Sequence, residues 1–207
     1  MLWNLLGELV APSRCAACDL RVPGGTLFCP PCSATVEPSD PWSARGGCLA
    51  AFEYGGAIAT AIARLKYEDR PDLAPRFAAA LVRTARAFRD AVDLVVPVPL
   101  HAQRLADRGY NQAALLAAPV ARSLSVRLAA RGLLRLRDTP RQTSLDRATR
   151  LSNVARAFRA RDPSIRGSRV LLVDDVRTTG ATLDDCATAL HEVGARQVVA
   201  LVLARRR

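Results

Sequence analysis

The sequence predicts an α/β fold, a doubly wound parallel sheet carried by most of the chain, preceded by a small N-terminal module held by a metal. Three observations predict it. From residue 48 onward, short apolar runs alternate with segments of helical spacing. One of those runs, RVLLVDD at 169–175, ends in two acids and passes through a Thr/Gly loop into a helix. Four of the six cysteines fall as two CxxC pairs near the start.

The elements follow in chain order. MLWNLLGELVAP has neither a basic start nor a small-residue cleavage site, so it reads as a short amphipathic helix with Leu2, Leu5, Leu6 and Leu9 on one face. Cys15-x2-Cys18 is followed after ten residues by Cys29-x2-Cys32. Each pair can set two thiolates on one tight turn, and two such turns, joined at Gly24 and Gly25, supply a closed tetrahedral zinc site. Disulfides and a redox CxxC are the alternatives. A reducing cytosol weighs against the first and two pairs so close together against the second. Four thiolates leave no open position for chemistry, so the zinc is structural and contributes most of the segment's folding free energy. Cys48 and Cys186 stand apart and read as buried thiols, Cys186 on a stripe with Leu183, Ala187 and Leu190. EPSDP closes the module and divides the chain into 1–40, short helix and ribbon, and 41–207, the sheet domain.

In the larger part, CLAAFEYGG is a strand ending in a turn at Gly55 and Gly56, and AIATAIARLKY is a helix stopped by DRPD. Leu73 to Ala91 reads as an amphipathic helix, Asp93 to Val98 as a buried strand, and Asn111 to Ser123 as a second helix. LLRLR is a short strand with alternating faces. The polar segment from Asp138 to Val154 is a loop leading into a helix. RVLLVDD is the clearest parallel strand, a helix spans about Thr182 to Val193 and stops at Gly194, and QVVALVLA is the last buried strand. In such sheets ligands bind outside the carboxyl ends of the strands.

No apolar run reaches the roughly 20 residues needed to cross a bilayer, so no stable membrane insertion and a cytoplasmic location are expected. The formal net charge is +11, and of 30 basic residues only Lys66 is lysine. So complete a use of arginine in an Ala-rich chain reads as genome composition. A solvated basic surface and a nucleic-acid face both stay open, and either favours partners that carry phosphate. Lys66 suggests a place where a compact point charge matters, although a surface lysine is the plainer account.

The chemistry concentrates in VLLVDDVRTTGATL, 170–183. A strand delivers Asp174 and Asp175 to its carboxyl end, and Thr178, Thr179, Gly180, Ala181 and Thr182 lead straight into a helix. Successive amides, a helix N-terminus, a glycine that admits close approach and three hydroxyls suit a monophosphate. The two carboxylates just upstream could accept from a ribose diol. No GK[ST] follows and no G-x-G-x-x-G is present, which excludes a Walker A loop and a dinucleotide fingerprint. Helix capping alone would need only one threonine.

This loop resembles the phosphoribosyl pyrophosphate (PRPP) signature of type I phosphoribosyltransferases. Together with the double CxxC, RLKY at 64–67, VVPVPLHAQRLADRGYNQA at 95–113 and DTPRQTSLDRATRLSNVARAF at 138–158, the sequence is similar to the ComF family of competence-associated phosphoribosyltransferase-like proteins. The resemblance implies a type I phosphoribosyltransferase fold with a zinc ribbon, and PRPP bound with Mg²⁺. It implies a second loop, Pro97-Val98-Pro99-Leu100, that holds pyrophosphate through Val98 and Pro99. Arg104 and Arg108, four apart on one helical face, would pair with the diphosphate, an exposed helical face being the plainer account. His101 would start that helix. Lys66 would face the pyrophosphate, and the segment from Asp138 would form a hood, where Gln142, Arg147 and Asn153 match the family. The implied reaction is Mg-dependent transfer of the 5-phosphoribosyl group to an unidentified acceptor, with Asp174, Asp175 and Lys66 at its centre. The alternative is a non-catalytic accessory protein of DNA uptake and natural transformation, with single-stranded DNA and the competence machinery as partners. A homodimer is also within this expectation. Arg177 departs from the family, which often has an apolar residue there.

Overall fold

A computed structural model describes residues 13–40, 47–137 and 157–206. The expected N-terminal helix and the hood residues Gln142, Arg147 and Asn153 lie outside the described residues.

The described strands are β1 (Cys48–Glu53), β2 (Leu94–Pro97), β3 (Arg127–Leu128), β4 (Leu133–Arg135), β5 (Phe158–Ala160), β6 (Arg169–Arg177) and β7 (Gln197–Arg205). Five of them form one parallel sheet in the order β1-β7-β6-β2-β3, and β4 and β5 form a separate antiparallel ribbon. The helices are α1 (Pro30–Ser33), α2 (Gly56–Tyr67), α3 (Leu73–Ala85), α4 (Ala102–Arg108), α5 (Gln112–Leu124) and α6 (Ala181–Glu192). Among the described residues no helix is long and apolar enough to cross a membrane.

The central strands are continuous apolar runs because both faces of the sheet are covered. On β6, Leu171 and Val173 join the core built with Ile58, Ile62 and Leu65 of α2 and Leu73, Phe77 and Leu81 of α3. Val170 and Leu172 point the other way, into the core with Leu183, Cys186 and Leu190 of α6. The four-residue spacing of Leu73, Phe77 and Leu81 lays one apolar stripe of α3 on the sheet. Cys48 and Cys186 are buried, as expected.

Two boundaries differ from the sequence reading. The helix beginning at Leu73 ends at Ala85 and continues as a 3-10 turn over Arg86–Phe88, and Asp90 then takes a positive φ that reverses the chain. β6 runs past the two acids to Arg177, because β7 is equally long and pairs with it up to Arg205.

The cysteine module lies against the first core. Cys15, Ala16, Phe28 and Cys29 share it with α2 and α3. Arg64 of α2, although charged, is buried. It donates to the Ala16 carbonyl at 3.3 Å and ion-pairs with Asp19 and Glu68. Arg76 of α3 donates to the Arg14 carbonyl at 2.7 Å and to the Thr26 and Leu27 carbonyls. Pro38 then bridges antiparallel to Phe52 at the edge of β1.

Candidate active site and metal cluster

β6 presents Asp174 and Asp175 among the carboxyl ends of the strands, and pleating sends them to opposite faces of the sheet. Asp175 points toward α2, where Lys66 Nζ lies 2.8 Å from its Oδ1. Its Oδ2 is buried and has no partner among the described residues. Asp174 points toward α6, and its Oδ1 accepts the Asp175 amide at 2.8 Å. Burial, and then the neighbouring Asp175 carboxylate, push the Asp174 carboxyl up to about 7. The sequence reading sets the two acids side by side on one diol. The structure instead gives Asp175 a cation and leaves Asp174 facing the α6 core.

After Arg177 the chain turns through Thr178, Thr179 and Gly180 into α6. Gly180 is left-handed at φ +94°, and a Cβ there would lie 3.1 Å from Arg177 Nε. The positive φ is what calls for glycine, while the Arg177 side chain has room to shift. Thr179 Oγ1 accepts the Ala181 amide at 3.4 Å. Among the described residues the amides of Thr178, Thr179 and Gly180 meet no acceptor. Thr178 and Thr179 are exposed, and Ala181 and Thr182 half-buried. The loop therefore keeps unengaged donors at the start of a twelve-residue helix, an arrangement suited to an oxyanion.

On the Asp175 side of the sheet lies a cleft of about 830 Å³ whose charged and aromatic lining is Lys66, Tyr67, Arg104, Arg108 and Tyr110, with two acids, Asp69 and Asp107, among them. The expected cationic residues thus come together. Arg108 sits 5.4 Å from the Tyr67 ring centroid, an unforeseen contact, and donates to Gln112 Oε1. Burial eases the Arg108 pKa below its ordinary value, against the attraction of Asp175.

The second loop offers less backbone to an anion than the Thr/Gly loop does. The Val98 amide donates to the Val173 carbonyl at 2.9 Å, and Pro97 and Pro99 have no N–H. No backbone donor remains over 97–99, so what this loop can offer pyrophosphate is the Leu100 amide, which meets no acceptor among the described residues, together with the neighbouring side chains. The Val98 carbonyl is held too, accepting Asn111 Nδ2 at 3.0 Å.

That bond belongs to a joint whose function the sequence reading missed. In Arg108-Gly109-Tyr110-Asn111-Gln112, Gly109 ends α4 in the left-handed conformation and Asn111 caps α5 by accepting from Ala113. The Tyr110 hydroxyl donates to the Leu65 carbonyl. It thereby holds the last turn of α2, where Lys66 sits. A glycine followed two residues later by asparagine, between two helical stretches, was the legible signal.

The four module cysteines are free thiols whose sulfurs all lie within 4.8 Å of one another. The Cys18 and Cys29 sulfurs are 3.6 Å apart. Around a tetrahedral zinc with bonds of about 2.3 Å, sulfur pairs stand roughly 3.8 Å apart, whereas a disulfide needs about 2.05 Å. The donor set fits a metal. Burial works to raise the Cys15 thiol, but amides from Cys29, Cys18 and Ala17 bring it down to about 6. Cys32 is pushed up to about 12 by burial and by the other sulfurs, the repulsion a cation would relieve.

A parallel α/β sheet with two acids near the carboxyl end of its central strand, an open Thr/Gly loop and a four-cysteine cluster defines a phosphoribosyltransferase-type domain with an N-terminal metal module. The phosphoribosyl transferase domain family matches residues 111–207. Over 198 residues the chain is 30% identical to DNA utilization protein YhgH of Salmonella typhimurium, covering 93% of this chain and 84% of that protein. It is 35% identical over 115 residues to Competence protein F of Haemophilus influenzae, covering 55% of this chain and 50% of that protein. A glutamine PRPP amidotransferase from B. subtilis superposes on 68% of this chain and 30% of its own, with 23% identity and a TM-score of 0.46. The chain belongs to the ComF family.

Proposed function

We propose that the cleft binds PRPP and that the protein transfers its 5-phosphoribosyl group to an acceptor. The observation that carries this is the Lys66–Asp175 pair beside an unengaged phosphate loop. A buried carboxylate oxygen without a partner costs about 1–3 kcal/mol, which a structure tolerates where a ligand or water completes it. In this reading the 5'-phosphate sits on the amides of Thr178 to Gly180 and the hydroxyls of Thr178, Thr179 and Thr182. The diphosphate draws Lys66 away from Asp175 and toward Arg104 and Arg108. Asp175, uncovered, accepts from the ribose diol. Positive charge grows on the ribose ring as pyrophosphate leaves C1, and Asp175 favours that charge without transferring a proton. Mg²⁺ bound together with PRPP would neutralise charge on the leaving pyrophosphate, beside Lys66, Arg104 and Arg108.

Zinc in the Cys15, Cys18, Cys29 and Cys32 cluster has a structural part here. It holds the module that Arg64 and Arg76 grip, and Arg64 lies two residues before Lys66. We place the division between module and catalytic domain near residue 40 and the protein in the cytoplasm, where free thiols persist.

Calorimetry with PRPP and MgCl₂ tests the binding. Wild type is expected to bind and Asp175→Asn to lose at least tenfold in affinity. Equal affinity in the two would end the proposal. Pyrophosphate release from PRPP across a panel of nucleobases and amines identifies the acceptor.

A second reading rests on the printed names of the relatives, DNA utilization protein and Competence protein F, and on the net charge of +11. In it the chain also contacts single-stranded DNA.

A further inference from the structure

Away from the cleft, a shallow depression of about 450 Å³ is lined by Arg127, Arg131, Arg161, Asp162, Pro163 and Ser164. The ribbon builds it. The Arg161 amide donates to the Gly132 carbonyl at 2.9 Å, one step beyond the Leu133–Ala160 pair. That bond brings Arg131, just before β4, close to Arg161, just after β5. The one carboxylate in the lining is already committed. Asp162 accepts the Ser164 amide at 3.0 Å and its hydroxyl at 2.7 Å, and pairs with Arg127 at 2.7 Å. These bonds, those from Ser164 first, hold its carboxyl below the usual range. Arg131 and Arg161 are exposed and have no carboxylate partner among the described residues.

We infer that this depression is a second phosphate-binding site, distinct from the PRPP cleft, and that it takes the phosphodiester backbone of a single nucleic-acid strand. Two exposed guanidiniums without carboxylate partners, on chain segments joined by backbone pairing, suit an anion of more than one charge. The lining has no aromatic ring on which a base could stack and little to enclose a small molecule, so the contact is to backbone and indifferent to sequence. The site gives the second reading a location and rests on that reading, but not on PRPP chemistry.

The test is fluorescence anisotropy of a labelled thymidine oligonucleotide at two salt concentrations. It uses wild type, Arg131→Glu/Arg161→Glu, and the control Arg83→Glu/Arg86→Glu, which reverses the same charge on the exposed end of α3. Melting curves establish that all three are folded. Expected is salt-sensitive binding by wild type, at least a tenfold loss in the ribbon variant with its salt slope reduced by about 1.4, roughly 0.7 per lost contact, and less than a threefold loss in the control. If wild type binds and the ribbon variant binds equally well, or if both variants lose equally, the site is overturned while the DNA reading stands. If wild type fails to bind even at low salt, both fall.

Discussion

Lys66 and Asp175 meet at 2.8 Å with their side chains 19% and 4% exposed, so the cation can reach water and the carboxylate cannot. That asymmetry predicts unequal mutants. Lys66→Met leaves a buried carboxylate without its cation and is expected to cost about 2–4 kcal/mol in urea unfolding. Asp175→Asn releases a lysine that can turn outward, at a cost below about 1 kcal/mol. The double variant should recover most of the Lys66→Met loss, with a coupling of about 2–3 kcal/mol. Strictly additive effects would mean that the two do not interact.

Gly180→Ala probes the phosphate loop with little effect elsewhere. The alanine must hold φ +94°, and its methyl lies 3.1 Å from Arg177 Nε. Folding stability is expected to fall by about 1 kcal/mol. PRPP affinity should fall at least tenfold, because the amides on either side turn with the strained residue. Unchanged affinity, measured by calorimetry, would remove the loop from the site.

Much of this arrangement was legible in the residues. The apolar runs gave β1, β2, β6 and β7 within a residue or two, since strands covered on both faces carry no polar interruption. The CxxC spacing gave the four-cysteine cluster, because a tight turn needs nothing beyond local chain geometry. Three things were hidden. Alternation along β6 separates Asp174 from Asp175, and what each then faces, Lys66 of α2 or the core under α6, is set by helices distant in sequence. The Val98 amide is committed to Val173, a pairing between distant strands that no local pattern encodes. The Arg64 and Arg76 grips on the cysteine module are equally long-range.

Asp174 predicts a pH dependence. Its folded pKa is raised to about 7, above the unfolded carboxyl value of about 3.9. The unfolded chain therefore releases this proton first. The contribution of Asp174 to stability is complete below about pH 4 and is lost as pH rises through 7. Asp174→Asn keeps an oxygen to accept the Asp175 amide but cannot ionise. At pH 8 it is expected to be more stable than wild type by on the order of 2–4 kcal/mol, and at pH 4 the two should be nearly equal. Denaturant midpoints across pH 4 to 8 check this, and parallel curves for the two proteins would refute it.

Metal removal should reach the cleft through the module's docking. Arg64 and Arg76 engage the carbonyls of Arg14, Ala16, Thr26 and Leu27, which flank Cys15 and Cys29 on the chain. Without the ion, four sulfurs within 4.8 Å repel once ionised, and the turns that present those carbonyls loosen. Arg64, buried on α2, would then lose its acceptor and the Asp19 pairing together. Elemental analysis is expected to find one zinc per chain. Chelation, or Cys15→Ser with Cys29→Ser, should lower the melting temperature by several degrees and weaken PRPP binding without any change in the cleft's own residues. Arg64→Met separates the two effects. It keeps the cysteines and should retain zinc, yet it should share the loss of PRPP affinity, because the helix that carries Lys66 has lost its anchor to the module. A chelated protein that binds PRPP as tightly as the zinc-loaded one would show that the module and the cleft are independent.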